Sequence, residues 1–391
     1  MNILMYSHDT YGLGHIRRTL ALAQNILQGE HNIIILTGSP LVGRFDIPYG
    51  IDFVRIPGMI KRNNELYLPH SIKVAPALAL AIRRNIILAT AQAFRPALFL
   101  VDKAPLGLKN EILPTLRWLH EHSPKTKLVL GLRDIMDNPE NTIKEWQEKK
   151  IYEALAELYS EIWVYGSREI YDPTKEYAMP EGAAAKVHFT GYIPRQIPRI
   201  GNRPRLRRSM GIDPAEKFVL VTTGGGGDGY KVLDTYLTML ETLPQPELRS
   251  MIVTGPLLAE DLYDQLAVRA HKLKVRIVKF YRKMEKAILA ADCVVPMGGY
   301  NTMCEIICAA RPSLVIPRST PREEQLIRAR LFAAKGLLEY IPWEEVDAAG
   351  MSGKIGLLLE NPSRYEAALR DFPMTAFDVI NSRIQAFGEQ P

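Results

Sequence analysis

Cysteine is scarce in this chain. Cys293, Cys304 and Cys308 are the only three in 391 residues, and all fall late. They are too few for a disulfide framework, so a reducing compartment, the cytoplasm, is expected. Cys304 and Cys308 share a helix face with no histidine cluster beside them, and they read as core. Long apolar runs are missing as well. No stretch of about 18 apolar residues stands out, so no membrane-spanning helix is expected. No charged segment with a cleavage site precedes the apolar start at Ile3 to Met5, so no secretory signal is expected. The patterns of metal chemistry are also absent. There is no H-E-x-x-H, no C-x-x-C, and no Asp-x-Asp for a diphosphate-bridging metal. Neither a metal nor a bound cofactor is therefore expected. No G-x-S-x-G marks a serine nucleophile. The net charge of +6 is modest. Basic residues are scattered and never interleave with aromatics, which argues against nucleic acid as a partner. A mildly basic surface still favours nucleotide phosphates or an acidic membrane face.

What is present fits a globular protein, with 47% hydrophobic and 24% charged residues. The chain is too long for one ordinary core, so two domains are expected. Strand candidates at 2–7, 32–37, 52–56, 97–101, 127–132, 161–166 and 187–190 alternate with helical patterns at 16–28, 72–93, 111–121 and 140–159. That alternation predicts a parallel sheet wrapped by helices. The 52–69 stretch reads as a less regular, long loop. Residues 191–207 read GYIPRQIPRIGNRPRLR. Their prolines predict a stiff, extended linker. The alternation then restarts, with strands at 217–223, 249–254, 275–279, 292–296 and 312–316 and a final helix over 363–388. In open parallel sheets, ligands bind beyond the carboxyl ends of the strands.

Four loops at such ends carry chemistry. The first, after strand one, holds His8, Asp9, Gly12, Gly14 and His15. Its glycines permit close backbone approach, and three proton carriers share the loop. A capping turn would use the same residues. The spacing is neither G-x-G-x-x-G nor a P-loop, so a dinucleotide site is disfavoured. The second is Gly224, Gly225, Gly226 and Gly227, opening a helix. Four glycines in a row are costly to order, and bare backbone N–H groups at a helix N-terminus suit a phosphate. The third is Gly298, Gly299, Asn301, Thr302 and Glu305, a G-x-N-T-x-x-E run. Glu305 stands in an apolar helix, where a carboxylate needs a partner such as a ribose diol or an arginine. The fourth runs from Pro317 to Gln325. There Glu324 and Gln325 either meet sugar hydroxyls or simply favour the dipole of a first helical turn.

The order of these loops resembles the GT-B glycosyltransferases. The likeness is greatest to the bacterial N-acetylglucosaminyltransferases that build lipid II and to uncharacterised glycosyltransferase-like relatives that begin S-H-D-T-Y-G-L-G-H. It spans most of the chain, is strongest over 292–336 and is weak over 40–125. It implies an α/β fold of GT-B type, with two doubly wound, Rossmann-like parallel-sheet domains facing a central cleft. The acceptor domain is expected at 1–190 and the nucleotide-sugar donor domain at 208–370, joined by the linker 191–207. A closing helix at 371–391 has the option of crossing back to the first domain.

The resemblance also implies roles. His15 matches a histidine that activates or orients the acceptor. Asp9 is a rival base, because His8-Asp9-Thr10 replaces smaller residues. Gly12, Gly14 and Gly224 to Gly227 would approach the donor. Phe280 and Tyr281 stand where backbone reads the uracil, and Glu305 where an acid holds the ribose. Glu324 and Gln325 match the pair that contacts the sugar. Met297 replaces the glutamate of retaining relatives, eight residues before Glu305, which implies inversion. The expected activity is transfer of a hexose or N-acetylhexosamine from a nucleotide sugar, such as a UDP-sugar, to an acceptor hydroxyl without metal. Alternatives are a nucleotide-sugar 2-epimerase of the same fold and a non-catalytic nucleotide-sugar binding protein. A lipid-linked acceptor would place helix 72–93 against the inner membrane face.

Overall fold

The computed structural model describes residues 1–8, 14–29, 31–40, 42–44, 47–61, 67–243 and 247–388. The expected site residues Asp9 and Gly12 lie outside the described residues. The chain divides into two compact units, Met1–Ile193 with Thr375–Pro391, and Pro194–Met374.

In chain order the first unit runs β1 (Asn2–Ser7), α1 (Gly14–Ile26), β2 (Asn32–Thr37), β3 (Ile51–Arg55), β4 (Met59–Lys61), β5 (Tyr67–Pro69), α2 (Pro76–Phe94) and β6 (Leu98–Asp102). It continues with α3 (Leu113–His122), β7 (Lys127–Arg133), α4 (Pro139–Glu148), α5 (Ile151–Glu157), β8 (Glu161–Tyr165), α6 (Pro173–Glu176), α7 (Glu181–Ala184) and β9 (Val187–Phe189). Seven parallel strands form one sheet in the order β3-β2-β1-β6-β7-β8-β9. Strands such as β6 and β8 are buried throughout, which is why they read as unbroken apolar runs. The winding reverses beside β1. Ile3 pairs with Ile33 of β2 on one side and with Leu98 of β6 on the other.

The second unit runs α8 (Arg203–Ser209), β10 (Lys217–Thr222), α9 (Tyr230–Thr242), β11 (Leu248–Val253), α10 (Glu260–Lys272), β12 (Arg276–Val278) and α11 (Met284–Ala290). Then come β13 (Cys293–Pro296), α12 (Tyr300–Ala309), β14 (Leu314–Val315), α13 (Glu324–Ala334), β15 (Glu339–Tyr340), α14 (Ala348–Glu360) and α15 (Pro362–Asp371). Its parallel sheet has the order β12-β11-β10-β13. A bridge from Val294 to Ser313 leads on to the β14-β15 pair. Here the winding reverses beside β10. The last helix, α16 (Ala376–Gly388), belongs to the first unit. Arg383 on it donates to Glu161 (Nε, 3.1 Å), which also accepts from Trp163 Nε1 at 2.7 Å.

Several expectations change. The helix expected over 363–388 is two helices, because Pro373 follows the end of α15 and cannot donate to a continuing helix. The 140–159 helix breaks where Lys150 turns left-handed, at φ 53°. The 52–69 stretch holds β3 and a short antiparallel hairpin, β4-β5. The linker is not extended throughout, since α8 starts at Arg203. Pro204 sits in its first turn, where the missing N–H costs nothing. Arg203 and Arg207 both donate to Asp292, at 2.5 and 2.7 Å, fastening α8 to the core. Helix α2 also corrects the reading that nothing is long and apolar enough to cross a membrane. Its 19 residues meet that test by length and composition, at a mean hydropathy of 1.2, with 22% of the window buried.

Candidate active site

At the reversal beside β1, the carboxyl ends of β1 and β6 part, and α1 starts over the gap. Asp102 is the last residue of β6, and Arg18 and His15 sit one turn apart on α1. Arg18 grips the carboxylate through Nε (2.9 Å) and Nη2 (2.7 and 2.8 Å). His15 Nδ1 lies 2.6 Å from Asp102 Oδ2. Burial alone would raise the Asp102 carboxyl. The Arg18 guanidinium, helped by His15, outweighs burial and holds it below the usual carboxylate range. An ionised carboxylate only accepts, so Nδ1 of His15 carries the proton and Nε2 keeps its lone pair. Burial pulls the His15 pKa down to about 4 against the opposing pull of Asp102. The ring is therefore neutral at physiological pH and ready to take a proton.

A second ionic group lies beneath it. Arg83 of α2 donates to both oxygens of Glu111, at 2.5 Å each, and both side chains are fully buried. Tyr6 donates its hydroxyl to Glu111 at 2.6 Å, and the same oxygen lies 3.3 Å from His8 Nδ1. His8 in turn meets the His15 ring edge-on, with centroids 5.8 Å apart. Burial, then His15 and Lys103, push His8 well below its ordinary pKa. Lys103, just after Asp102, takes a left-handed backbone at φ 65°.

At the second reversal, beside β10, the glycine loop leaves β10 and the G-x-N-T turn leaves β13. The four glycines divide into two kinds. Gly224 and Gly226 have φ 65° and 91°, and a Cβ on Gly226 would lie 2.2 Å from the Thr254 carbonyl oxygen. The turn itself requires these two. Gly225 and Gly227 have ordinary φ, and an added Cβ would meet nothing nearer than 3.4 and 4.0 Å. The turn does not need them, and their bare α-carbons let another molecule come close. The next turn divides the same way. Gly298 has φ 87°, and an added Cβ would lie 2.8 Å from Val315 Cγ1, whereas a Cβ on Gly299 would meet nothing within 4 Å.

Residues 219–382 match the glycosyltransferase family 28 C-terminal domain. The transferase that adds N-acetylglucosamine to N-acetylmuramyl-(pentapeptide) pyrophosphoryl-undecaprenol in Halalkalibacterium halodurans is 30% identical over 132 residues, 34% of this chain and 36% of that protein. The chain spans between about a third and half of the length of the curated relatives it matches first. The whole fold is that of the GT-B glycosyltransferases. MurG of Acinetobacter baumannii superposes with a TM-score of 0.62 at 13% identity, covering 98% of this chain and 99% of that one. The UDP-GlcNAc 2-epimerase of Neisseria meningitidis gives 0.62 at 13%, with full coverage of both.

Within residues 219–382, three loops converge on one arginine. Arg318 Nη1 donates to Asp228 (2.7 Å), beside the glycine loop, and Nη2 to Glu324 (3.0 Å) at the start of α13. Gln325, with its amide turned to satisfy both neighbours, donates to the Met297 carbonyl and accepts from Arg318 Nε at 3.2 Å. Asn301 accepts from Arg195, whose backbone N–H meets Cys308 Sγ at 3.2 Å. Thr302 is half-buried beside Asn301 in the first turn of α12. Glu305 is 3% exposed on α12. Phe280 and Tyr281 follow edge strand β12, two strands away from β10. Phe280 is 60% exposed, and Arg276 lies over the Tyr281 ring at 5.6 Å. Gly14 opens α1 at the surface of the other unit. Among the described residues, no group of three or more His, Cys, Asp or Glu side chains is arranged to hold a metal ion.

Sequence reasoning missed Asp102, Arg18 and Arg318. Asp102 had a signal: it is the one charged residue of an otherwise apolar parallel strand, placed at the carboxyl end. The two kinds of glycine make opposite predictions. Gly226→Ala should destabilise the second unit by about 2–3 kcal/mol through overpacking and strain, read as a lower urea midpoint. Gly225→Ala and Gly227→Ala should keep the midpoint within about 0.5 kcal/mol while weakening nucleotide binding. Equal midpoints in all three variants would contradict this division.

Proposed function

We propose that the protein is a glycosyltransferase that moves a hexose or N-acetylhexosamine from a UDP-sugar to an acceptor hydroxyl, with inversion and without metal. The reading is carried by the convergence of the family 28 residues at one sheet reversal. There the glycine loop, the G-x-N-T turn and the Glu324–Gln325 pair come from the ends of β10, β13 and β14. Backbone N–H groups at the starts of α9 and α12 stabilise the diphosphate as it leaves. Phe280 and Tyr281 border the nucleobase, and Glu305 serves the ribose.

His15 removes the acceptor proton through Nε2 while Asp102 holds the ring and offsets the charge it gains. Inversion follows from direct attack on the anomeric carbon, since Met297 offers no carboxylate on the other face. The acceptor is lipid-linked in this reading. The relatives named above act on a pyrophosphoryl-undecaprenol acceptor, and α2 exposes Ala77 and Leu78, with the cationic Arg84 exposed nearly two turns further on. Flotation with anionic phospholipid vesicles should capture the protein and lose it on Leu78→Glu. Indifference to vesicles removes the membrane part of the reading.

His15→Ala should lower kcat by about 10²–10⁴-fold, the usual size of general-base catalysis, with the Kd for UDP unchanged. Because the neutral ring is the active form, kcat/KM should fall only as pH drops toward about 4, and Asp9→Asn should change little. An acid limb centred near 6.5, or a large loss in Asp9→Asn alone, would reassign the base. UDP-N-acetylglucosamine incubated with no acceptor separates the epimerase alternative, which would build up the C2 epimer. A transferase would leave the sugar unchanged at C2.

A further inference from the structure

Arg318 falls on no residue that the loop resemblance assigned, yet it is the hub of the second unit's site. It spans two acidic side chains of unlike standing. Glu324 is buried, its side chain 4% exposed, and it is fixed at the head of α13. Asp228 has a side chain 48% exposed and directly follows the glycine loop. Asp228 thus sets a carboxylate at the mouth of a loop whose spare glycines suit an anion. A diphosphate that reached Gly225 and Gly227 would meet the charge of Asp228 directly. Like charges at that range repel unless a cation is interposed. The guanidinium has the donors to serve a phosphate in a forked arrangement. Glu324 is out of reach of water at the head of α13, so solvent cannot take the guanidinium's place there. The guanidinium can release Asp228, which water will solvate.

The geometry points to Arg318 as a donor-diphosphate ligand that exchanges the Asp228 carboxylate for a phosphate of the bound nucleoside diphosphate, while Glu324 holds the guanidinium in place. This rests on the nucleotide-sugar reading above and adds a residue to it. Asp228 acts as a built-in competitor. It occupies the phosphate-facing edge of Arg318, and its displacement makes binding depend on a group that carries phosphate. The nucleoside alone has nothing to offer in exchange. The exchange breaks no covalent bond and moves no proton. It replaces one charge-assisted hydrogen bond with another and returns an exposed carboxylate to water.

The test is calorimetric titration of the full chain with UDP and with uridine. Asp228→Asn removes the competitor at an exposed position, so the fold should be preserved. It should tighten UDP binding by about 2–5-fold, in the range of one surface ion pair, and leave uridine unchanged. Arg318→Ala should weaken UDP by about 10–100-fold, the usual worth of one or two charge-assisted hydrogen bonds, and spare uridine. Arg318→Lys should fall between, because it keeps the charge without the fork. Looser or unchanged UDP binding in Asp228→Asn would overturn the exchange, as would an equal loss for UDP and uridine in Arg318→Ala. Should the wild type bind none of UDP, GDP, ADP and dTDP, the nucleotide-sugar reading itself fails. Wild-type binding with an indifferent Asp228→Asn overturns the exchange alone.

Discussion

A doubly wound parallel sheet reverses its winding at one point, and each unit of this protein does so beside its own first strand. β1 has β2 on one side and β6 on the other; β10 has β11 and β13. At such a reversal the connecting segments leave in opposite directions, and the strand ends are left open. The chain concentrates its costly residues at these two places. His8, His15, Asp102 and the left-handed Lys103 stand at the first. The glycine loop, the G-x-N-T turn and Arg318 stand at the second.

Charges buried at the first reversal come fastened. Asp102 is ionised because Arg18 meets it with three hydrogen bonds, and that ionisation fixes which nitrogen of His15 carries the proton. Arg83 and Glu111 do the same one layer below, anchoring Tyr6 and through it His8. Such pairs add little net stability, but removing one partner strands the other in a low-dielectric interior. Their visible consequence is orientation. The two imidazoles are presented at fixed angles by side chains that have no freedom of their own. The second reversal differs, because Arg318 shares itself between one buried and one exposed carboxylate.

The strands and most helices were legible from periodicity, as were the glycine loop and the G-x-N-T turn, because local spacing encodes them. What spacing does not encode is which segments meet. Asp102 and His15 are 87 positions apart, and Arg318 and Asp228 are 90. No local pattern links such pairs before the sheet brings their loops together. Helix breaks were misjudged for a related reason. Pro373 is an ordinary residue in composition, but it falls where the chain leaves one unit and returns to the other. The α8 helix was hidden by the prolines of its segment: Pro194 and Pro198 precede it, and Pro204 sits in its first turn, where a helix tolerates it. Glycine was over-read in one respect. Two of the four loop glycines answer to the backbone of Thr254 and to positive φ, and only two remain for a ligand.

The central claim is that a donor diphosphate is held at the reversal beside β10, by the glycine loop and the turn after β13. Hydrogen–deuterium exchange with and without saturating UDP reads this directly, since backbone amides that bind phosphate or lie under it exchange more slowly. The account predicts new protection in 223–230 and 298–302, with the strands of the first unit unchanged. Protection confined to the first unit, or no change at either loop while UDP is demonstrably bound, would contradict it.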